Sequence, residues 1–258
     1  MDLQQQIQTM SFTIQNILED TPVSIYLYGS ITMDDFQYGW SDIDMLCLTD
    51  YSISQEQAHR LVGLRQELVE QYRDPVYLLF EGGLLSLESL LNGTPDTVVY
   101  WGTNSQRITD RYNFNSFSRY ELKTTGVLTA GKDIRNIIMM PTNADIKRAG
   151  QFVYETVRKH AVKTSESLYS CGWMLDIARC IYTLRTGSII TKTKAGEWAL
   201  EQQLCPVPET LKKVLLVRKD PLKYKDDPRF KVWASSLGND VQRFADVLEQ
   251  ELDKANAC

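Results

Sequence analysis

The sequence contains two short polar motifs, each next to an apolar segment with the composition of a β-strand. A Gly-Ser pair follows residues 23–28, which are rich in β-branched and aromatic side chains, and an Asp-x-Asp pair opens the apolar run 43–48. The residues of the two motifs are Gly29, Ser30, Ser41, Asp42 and Asp44. We expect the chemistry of the chain to lie at the polar ends of these two strands.

These residue types suit a metal-bound phosphate. Glycine lets a phosphate approach the backbone closely, and a Gly-Ser turn leaves backbone N–H groups free to bind it. Asp42 and Asp44 are two residues apart on a strand, so both side chains project to the same face, whereas Ile43 points into the core. Two carboxylates on one face suit Mg²⁺, which would link them to a nucleoside triphosphate during phosphoryl transfer. The alternative is an ordinary turn followed by a solvated strand edge.

The order of predicted elements indicates an α+β fold with two domains. Residues 1–141 are predicted to form a mixed β-sheet with flanking helices, and residues 142–258 a helical bundle. In the first domain we expect helices over 3–19, 54–72 and 84–91, and strands over 23–28, 43–48, 76–80 and 97–101, with Gly82 and Gly83 ending the third strand. In the second we expect helices over 143–160, 166–186, 193–204, 207–218 and 235–254, with Asn143 as the N-cap of the first and Gly187 as the C-cap of the second.

Composition and charge disfavour several classes of protein. The 258 residues carry a net charge of −5 without a basic stripe, which disfavours a nucleic-acid partner. No apolar run reaches about 18 residues, so we expect no membrane span, and the N-terminus lacks the features of a signal peptide. Two histidines in charged stretches disfavour a zinc site and a Ser/His/Asp triad. Five cysteines without a Cys-x-x-Cys pair indicate free thiols in a cytoplasmic protein, which we expect to be a monomer.

The Gly-Ser and Asp-x-Asp motifs resemble those of the nucleotidyltransferase superfamily. Four further segments are similar to the streptomycin/spectinomycin adenylyltransferase branch of the aminoglycoside nucleotidyltransferases, namely 128–134, 176–183, 186–192 and 195–199. The resemblance implies transfer of AMP from ATP to a hydroxyl group of an aminoglycoside-type antibiotic such as spectinomycin or streptomycin. It also implies Mg²⁺ as cofactor, pyrophosphate as product and a role in antibiotic resistance.

The same resemblance implies roles for individual residues. Asp42 and Asp44 would hold magnesium, and the triphosphate would lie at Gly29, Ser30 and Ser41. Three residues of the helical domain match nucleotide-binding positions of the family, and these are Arg179, Lys192 and, less closely, Tyr224. Cations at such positions would neutralise charge that develops on the leaving pyrophosphate.

Two departures from the family pattern leave alternatives open. The family's general base is a glutamate on the strand after Asp-x-Asp, where this sequence offers Glu81 or Asp74, with Glu81 nearer the expected spacing. The family's acidic, tryptophan-bearing loop has no clear equivalent, and we expect Trp101, Trp173 and Asp176 to line the acceptor site. The alternatives are transfer to another small molecule or to a protein hydroxyl, and nucleotide binding without transfer if neither carboxylate serves as base.

Overall fold

The computed structural model describes residues 2–19, 21–103 and 105–257, and the chain divides into two compact units. The first, here called the sheet unit, consists of Met1–Phe36 and Asp42–Met140. The second, here called the helical unit, consists of Gln37–Ser41 and Pro141–Cys258. A six-stranded mixed sheet in one unit and helices in the other confirm the predicted α+β fold class.

The sheet unit is built on six strands in the spatial order β5-β4-β3-β2-β1-β6. The strands are β1 (Val23–Leu27), β2 (Ile43–Thr49), β3 (Phe80–Ser86), β4 (Val98–Trp101), β5 (Gln106–Thr109) and β6 (Val127–Ala130). β2 and β3 are parallel, and the other neighbouring pairs are antiparallel. The helices of this unit are α1 (Leu3–Leu18), α2 (Gln55–Tyr72), α3 (Leu87–Asn92) and α4 (Ser116–Thr125). The parallel pairing needs a crossover connection, which α2 supplies.

Alternation along β2 assigns its side chains to two different apolar clusters. Ile43 and Met45 are buried in a cluster that includes residues of α1 and α2. Leu46 points to the opposite face and belongs to a second cluster, which includes Leu122 of α4. Asp44 shares the face of Leu46 because the two residues are two positions apart.

The third strand begins later than the sequence predicts. The sequence predicts a strand over residues 76–80, but Pro75–Leu79 forms a 3-10 turn. Proline at the first position favours a helical start, and the Asp74 side chain accepts a hydrogen bond from the Val76 N–H at 3.1 Å. The strand therefore starts at Phe80.

Gly82 and Gly83 lie inside β3, although the sequence predicts that they end it. A Cβ atom at Gly82 would lie 1.7 Å from the carbonyl oxygen of Met45, and one at Gly83 would lie 2.7 Å from the ring of Tyr112. Glycine is needed here because neighbouring atoms approach the backbone closely. The helix predicted from residue 84 consequently begins at Leu87, and the sequence did not predict β5, β6 and α4.

The helical unit contains seven α-helices among the residues that the structure describes. They are α5 (Asn143–His160), α6 (Tyr169–Thr186), α7 (Lys192–Glu201), α8 (Pro208–Lys219), α9 (Pro221–Tyr224), α10 (Pro228–Ser235) and α11 (Gly238–Ala257). α6 packs against α5, α7, α8 and α11. Gly187 ends α6 with a φ of +69°, and this confirms the predicted C-cap.

A short segment from the first half of the chain belongs to the helical unit. Gly39 adopts a φ of +88°, and a Cβ atom there would lie 2.5 Å from the Leu222 side chain. The ring of Trp40 lies 5.2 Å from the guanidinium carbon of Arg218. These contacts join residues 37–41 to the helical unit, although the contacting residues are more than 170 positions apart in sequence.

The cysteines that the structure describes are free, as expected. Cys47, Cys171, Cys180 and Cys205 are all buried, and Cys258 lies outside the described residues. Burial raises the pKa of Cys171 to about 12, so its thiol stays protonated at neutral pH. In the described part of the chain, no helix has the length and apolar character needed to cross a membrane.

Thr142, and not the predicted Asn143, caps α5. The Thr142 hydroxyl accepts a hydrogen bond from the Asp145 N–H at 3.2 Å, and Asp145 Oδ2 accepts one from the Thr142 N–H at 2.8 Å. This reciprocal pair is a capping box, which satisfies two backbone groups at the start of the helix.

We expect Thr142→Ala to lower the free energy of unfolding of the helical unit by about 1 kcal/mol, because the first turn loses its side-chain acceptor. Asn143→Ala, one residue further on, is the matched control and should change it by less than about 0.5 kcal/mol. Urea titration followed by circular dichroism measures both variants. Equal losses would contradict the assignment of the cap to Thr142.

Candidate active site

Gly29 lies directly against the carboxylate of Asp44. Gly29 has a φ of +72°, and a Cβ atom built there would lie 2.3 Å from Asp44 Oδ2. The Tyr28 N–H donates to the Asp44 carbonyl at 3.1 Å, which fixes the end of β1 beside the start of β2. Glycine alone combines this left-handed conformation with so close an approach. The two sequence motifs therefore meet at one point of the sheet.

Glu81 lies beside Asp44 on the neighbouring strand. The parallel register of β2 and β3 pairs Asp44 with Glu81, so both side chains point to the same face. Asp42 precedes β2 by one residue, and its charge acts on the same two side chains, Arg65 and Tyr100, as the charge of Glu81 does. Three carboxylates are thus gathered where β2 and β3 begin.

Asp74, the other candidate for the third carboxylate, is engaged elsewhere. Its Oδ1 accepts from the Val76 N–H, and its Oδ2 accepts from the Gln6 side chain at 2.5 Å. Glu81 is the second residue of the strand that follows Asp-x-Asp, because that strand begins at Phe80. The geometry favours Glu81 over Asp74.

Three tyrosines that no sequence motif indicates, Tyr28, Tyr100 and Tyr112, lie near the carboxylates. Tyr28 and Tyr112 are joined by a side-chain hydrogen bond, and the rings of Tyr112 and Tyr100 are 6.1 Å apart. Burial raises the pKa of Tyr112 to about 12, and the charges of Asp44 and Glu81 act in the same direction. Burial likewise holds the pKa of Tyr28 well above its usual range. Both hydroxyls therefore stay protonated at neutral pH and remain hydrogen-bond donors.

The two motif serines occupy different environments. Ser30 is half-buried in the 3-10 turn after Gly29, and its carbonyl accepts the N–H groups of Met33 and Asp35. Ser41 is buried, and its hydroxyl accepts from the Gln37 N–H at 3.0 Å. Ser41 thus closes the loop before Asp42, and contact with a triphosphate stays a prediction for both serines.

The acidic residues fit Mg²⁺ that binds together with a nucleotide. In the described part of the chain, no three His, Cys, Asp or Glu side chains form a group that could hold a metal ion by themselves. Mg²⁺ commonly uses one or two carboxylates and completes its coordination with substrate phosphates and water. Asp42 and Asp44 are two such carboxylates, and Gly29 has no side chain that would separate Asp44 from a phosphate.

The helical unit holds a second group of predicted site residues. Asp176 and Arg179 lie three residues apart on α6, and Lys192 is the first residue of α7. The Nζ atom of Lys192 lies 2.9 Å from Asp176 Oδ1, and an Nη atom of Arg179 lies 3.8 Å from the same oxygen. The carboxylate predicted for the acceptor is therefore paired with both cations predicted for the nucleotide.

Asp176 and Arg179 belong to one accessible stripe of α6. Every third side chain along the middle of the helix is half-buried and those between are buried, which gives the stripe Trp173, Asp176, Arg179 and Tyr182. Tyr182 packs edge-on against Trp198, with ring centroids 5.1 Å apart. Tyr224, predicted near ATP, is half-buried at the end of α9.

Trp101 is a core residue, so its predicted place in the acceptor site is wrong. The side chain is fully buried, and its Nε1 donates to the carbonyl of Leu61 at 3.1 Å. A buried indole whose donor is satisfied cannot contact a substrate. The sequence could not reveal this, because an aromatic residue in a strand has the same pattern whether it faces a core or a cleft.

Arg65, which is not among the residues predicted from the sequence, is a buried guanidinium whose charge interacts with Glu81 and Asp42. Arg65 lies on α2 in the buried stripe that also contains Ala58, Leu61 and Leu68. The signal in the sequence is a charged residue at helical spacing within an apolar face.

Gly29→Ala tests the contact with Asp44. We expect it to lower the free energy of unfolding of the sheet unit by more than the roughly 1–2 kcal/mol that a left-handed backbone alone costs, because the new methyl group must displace a carboxylate. Gly93→Ala is the matched control, since Gly93 has a φ of +64° and open space around it. Guanidinium denaturation compares the two variants, and equal losses would contradict the close approach.

Comparisons with known proteins concern the same two units. Residues 153–249 match the family model described as aminoglycoside adenylyltransferase, C-terminal domain. A solved structure, that of spectinomycin adenyltransferase AAD(9) from Enterococcus faecialis with ATP and spectinomycin, is similar with a TM-score of 0.56 at 14% sequence identity. The similarity covers 92% of this chain and 99% of that chain. No curated protein matches the sequence.

At 14% identity the structural similarity is evidence for the fold alone, and the sequence match covers residues of the helical unit. Together they confirm the resemblance to the streptomycin/spectinomycin branch. Residues 153–249 are thus similar to the C-terminal domain of aminoglycoside adenylyltransferases, and the chain shares the fold of a spectinomycin adenyltransferase.

Proposed function

We propose that this protein is a Mg²⁺-dependent O-adenylyltransferase that transfers AMP from ATP to a hydroxyl group of an aminoglycoside-type antibiotic, of the spectinomycin or streptomycin kind, and so gives resistance. The observation that carries the proposal is the convergence of Gly29, Asp44 and Glu81 where β2 and β3 begin. The family match over residues 153–249 supports adenylylation, and the structurally similar adenyltransferase was solved with ATP and spectinomycin.

Asp42 and Asp44 are the residues that would hold Mg²⁺. When bound, Mg²⁺ would neutralise negative charge on the triphosphate. Gly29 and Ser30 bind the triphosphate through backbone N–H groups beside Asp44, and Ser41 contributes its hydroxyl. In the helical unit, Lys192, Arg179 and Tyr224 are the nucleotide contacts that the resemblance implies.

Glu81 acts as the general base. Its carboxylate takes the proton from the acceptor hydroxyl as that oxygen attacks the α-phosphorus of ATP. A new O–P bond forms, the bond between the α-phosphorus and the bridging oxygen of the β-phosphate breaks, and pyrophosphate leaves. The Thr103 hydroxyl donates to Glu81 Oε2 at 2.8 Å, which orients the carboxylate.

A cationic acceptor suits the charge of the sheet unit. Three carboxylates and the half-buried ring of Tyr100 lie close together, and carboxylates with aromatic faces attract ammonium groups. In the helical unit, Trp173 and Asp176 are the further acceptor contacts. The net charge of −5 supports a small-molecule acceptor rather than a nucleic acid, and the buried free thiols support a cytoplasmic protein, which we take to act as a monomer.

The test is transfer of labelled AMP from ATP to spectinomycin and to streptomycin in the presence of Mg²⁺. We expect Asp44→Asn to lower kcat by at least about 10³-fold, because the loss of a metal ligand removes several kcal/mol of charge stabilisation. Asp50→Asn makes the same change at the exposed position just after the other end of β2 and should leave kcat unchanged.

The other outcomes separate the alternatives. Adenylylation of a different small molecule or of a protein hydroxyl, with neither drug modified, would mean that the reaction is the proposed one but the acceptor is different. Nucleotide binding without transfer to any acceptor would identify a nucleotide-binding protein. Full activity of Asp44→Asn would remove the metal site from the proposal.

Lys192→Ala tests the role of the helical unit. We expect it to raise KM for ATP by about 10-fold, the worth of one charge-assisted contact to a phosphate, while KM for the antibiotic changes less. Lys194→Ala, an exposed lysine on the same helix, is the control. Calorimetric titration with ATP and Mg²⁺ checks the binding directly, and unchanged ATP affinity would exclude Lys192 from the nucleotide site.

A further inference from the structure

Arg65 is a charged residue in the core of the sheet unit. Its side chain is 3% exposed, and its helix neighbours Leu61, Leu64 and Leu68 pack in the apolar core. Burial lowers the pKa of Arg65, and the charges of Glu81 and Asp42 act in the opposite direction. An apolar side chain of similar volume would avoid the cost of burying a charge, so the guanidinium needs a specific explanation.

The guanidinium makes five hydrogen bonds, and each is accepted by a neutral oxygen. Nη1 donates to the carbonyls of Leu78 at 3.1 Å and Phe80 at 2.8 Å. Nη2 donates to the carbonyl of Gly102 at 3.1 Å and to Gln106 Oε1 at 3.0 Å. Nε donates to the same Gln106 oxygen at 3.2 Å. This uses the full donor capacity of an arginine side chain.

Two of these acceptors lie immediately before the residues that form the Glu81–Thr103 hydrogen bond. The Phe80 carbonyl belongs to the peptide bond that leads into Glu81, and the Gly102 carbonyl belongs to the one that leads into Thr103. Thr103 in turn donates to Glu81 at 2.8 Å. One rigid, planar group therefore fixes the backbone on both sides of that bond.

We propose that Arg65 is a positioning residue, which holds the Phe80–Glu81 and Gly102–Thr103 peptides in place so that the Glu81 carboxylate keeps its hydrogen bond to Thr103 and its place beside Asp44. The inference rests on the proposed function of Glu81 as base. This positioning role needs the planar guanidinium with its five N–H donors, because a lysine has the same charge but cannot reach four separated acceptors at once.

Arg65→Lys keeps the positive charge but removes the planar guanidinium, so it separates the effects of the two. We expect it to lower kcat by about 10–100-fold, the usual cost of displacing a catalytic group by about 1 Å, with KM for ATP unchanged. Arg60→Lys is the matched control, because Arg60 is an exposed residue of the same helix, and it should leave kcat unchanged.

A double-mutant cycle with Glu81→Gln distinguishes positioning from a general structural role. If Arg65 acts through Glu81, Arg65→Lys should change kcat by less than about 2-fold once Glu81 is replaced, since coupled residues are not additive. A loss of the same size in both backgrounds would overturn the proposal. Unchanged kcat for Arg65→Lys alone would do the same.

A crystal structure of Arg65→Lys gives a readout that does not depend on turnover. We expect the Glu81–Thr103 hydrogen bond to be lost, and its retention at about 2.8 Å would overturn the proposal. If the wild-type protein transfers no AMP, the proposed function fails, while this structure still decides what Arg65 holds in place.

If Arg65→Lys does not fold, Gln106→Leu is the second variant, because it removes the acceptor of two of the five hydrogen bonds. We expect a smaller loss of kcat, which again vanishes when Glu81 is replaced by Gln. An additive loss would count against the proposal.

Discussion

The parallel pairing of β2 with β3 is the constraint on which the candidate site depends. It places Asp44 opposite Glu81 with both side chains on one face of the sheet. A slip of one residue would turn Glu81 to the other face, because side chains alternate along a strand. Gly82 permits this pairing, since a Cβ atom there would collide with the Met45 carbonyl. The packing of the sheet and the geometry of the carboxylates are therefore set by the same contact.

Carboxylates gathered on one face repel each other, so their surroundings determine whether the arrangement is stable. Their ionisable partners include Tyr28 and Tyr112, whose pKa values burial raises further above neutrality, and the cation of Arg65. Neutral hydroxyls can donate hydrogen bonds without adding charge. A divalent cation at Asp42 and Asp44, as proposed above, would relieve this repulsion.

The sequence predicted the parts of this site whose chemistry is local. A glycine at a strand end and two aspartates at strand spacing predict a phosphate and metal site through residue type alone, and the strands that carry them begin at the predicted residues, Val23 and Ile43. The sequence offers Glu81 as one of two candidates, but the place of its side chain beside Asp44 could not be predicted, because it depends on the start of β3 and on a pairing with a residue 37 positions away. The hairpin strand Gln106–Thr109 is short and polar, and it therefore gives no periodic signal. Trp101 was misassigned because burial is a tertiary property.

The neutrality of the Arg65 acceptors also has a chemical consequence. A guanidinium bonded directly to Glu81 would occupy the lone pairs that a general base needs, and the pair would be a structural ion pair. Because Arg65 is saturated by backbone carbonyls and one amide oxygen, its charge acts on Glu81 and Asp42 through space only. The carboxylates gain a nearby positive charge and keep their capacity to accept. A buried cation can thus support an acidic site without competing for its ligands.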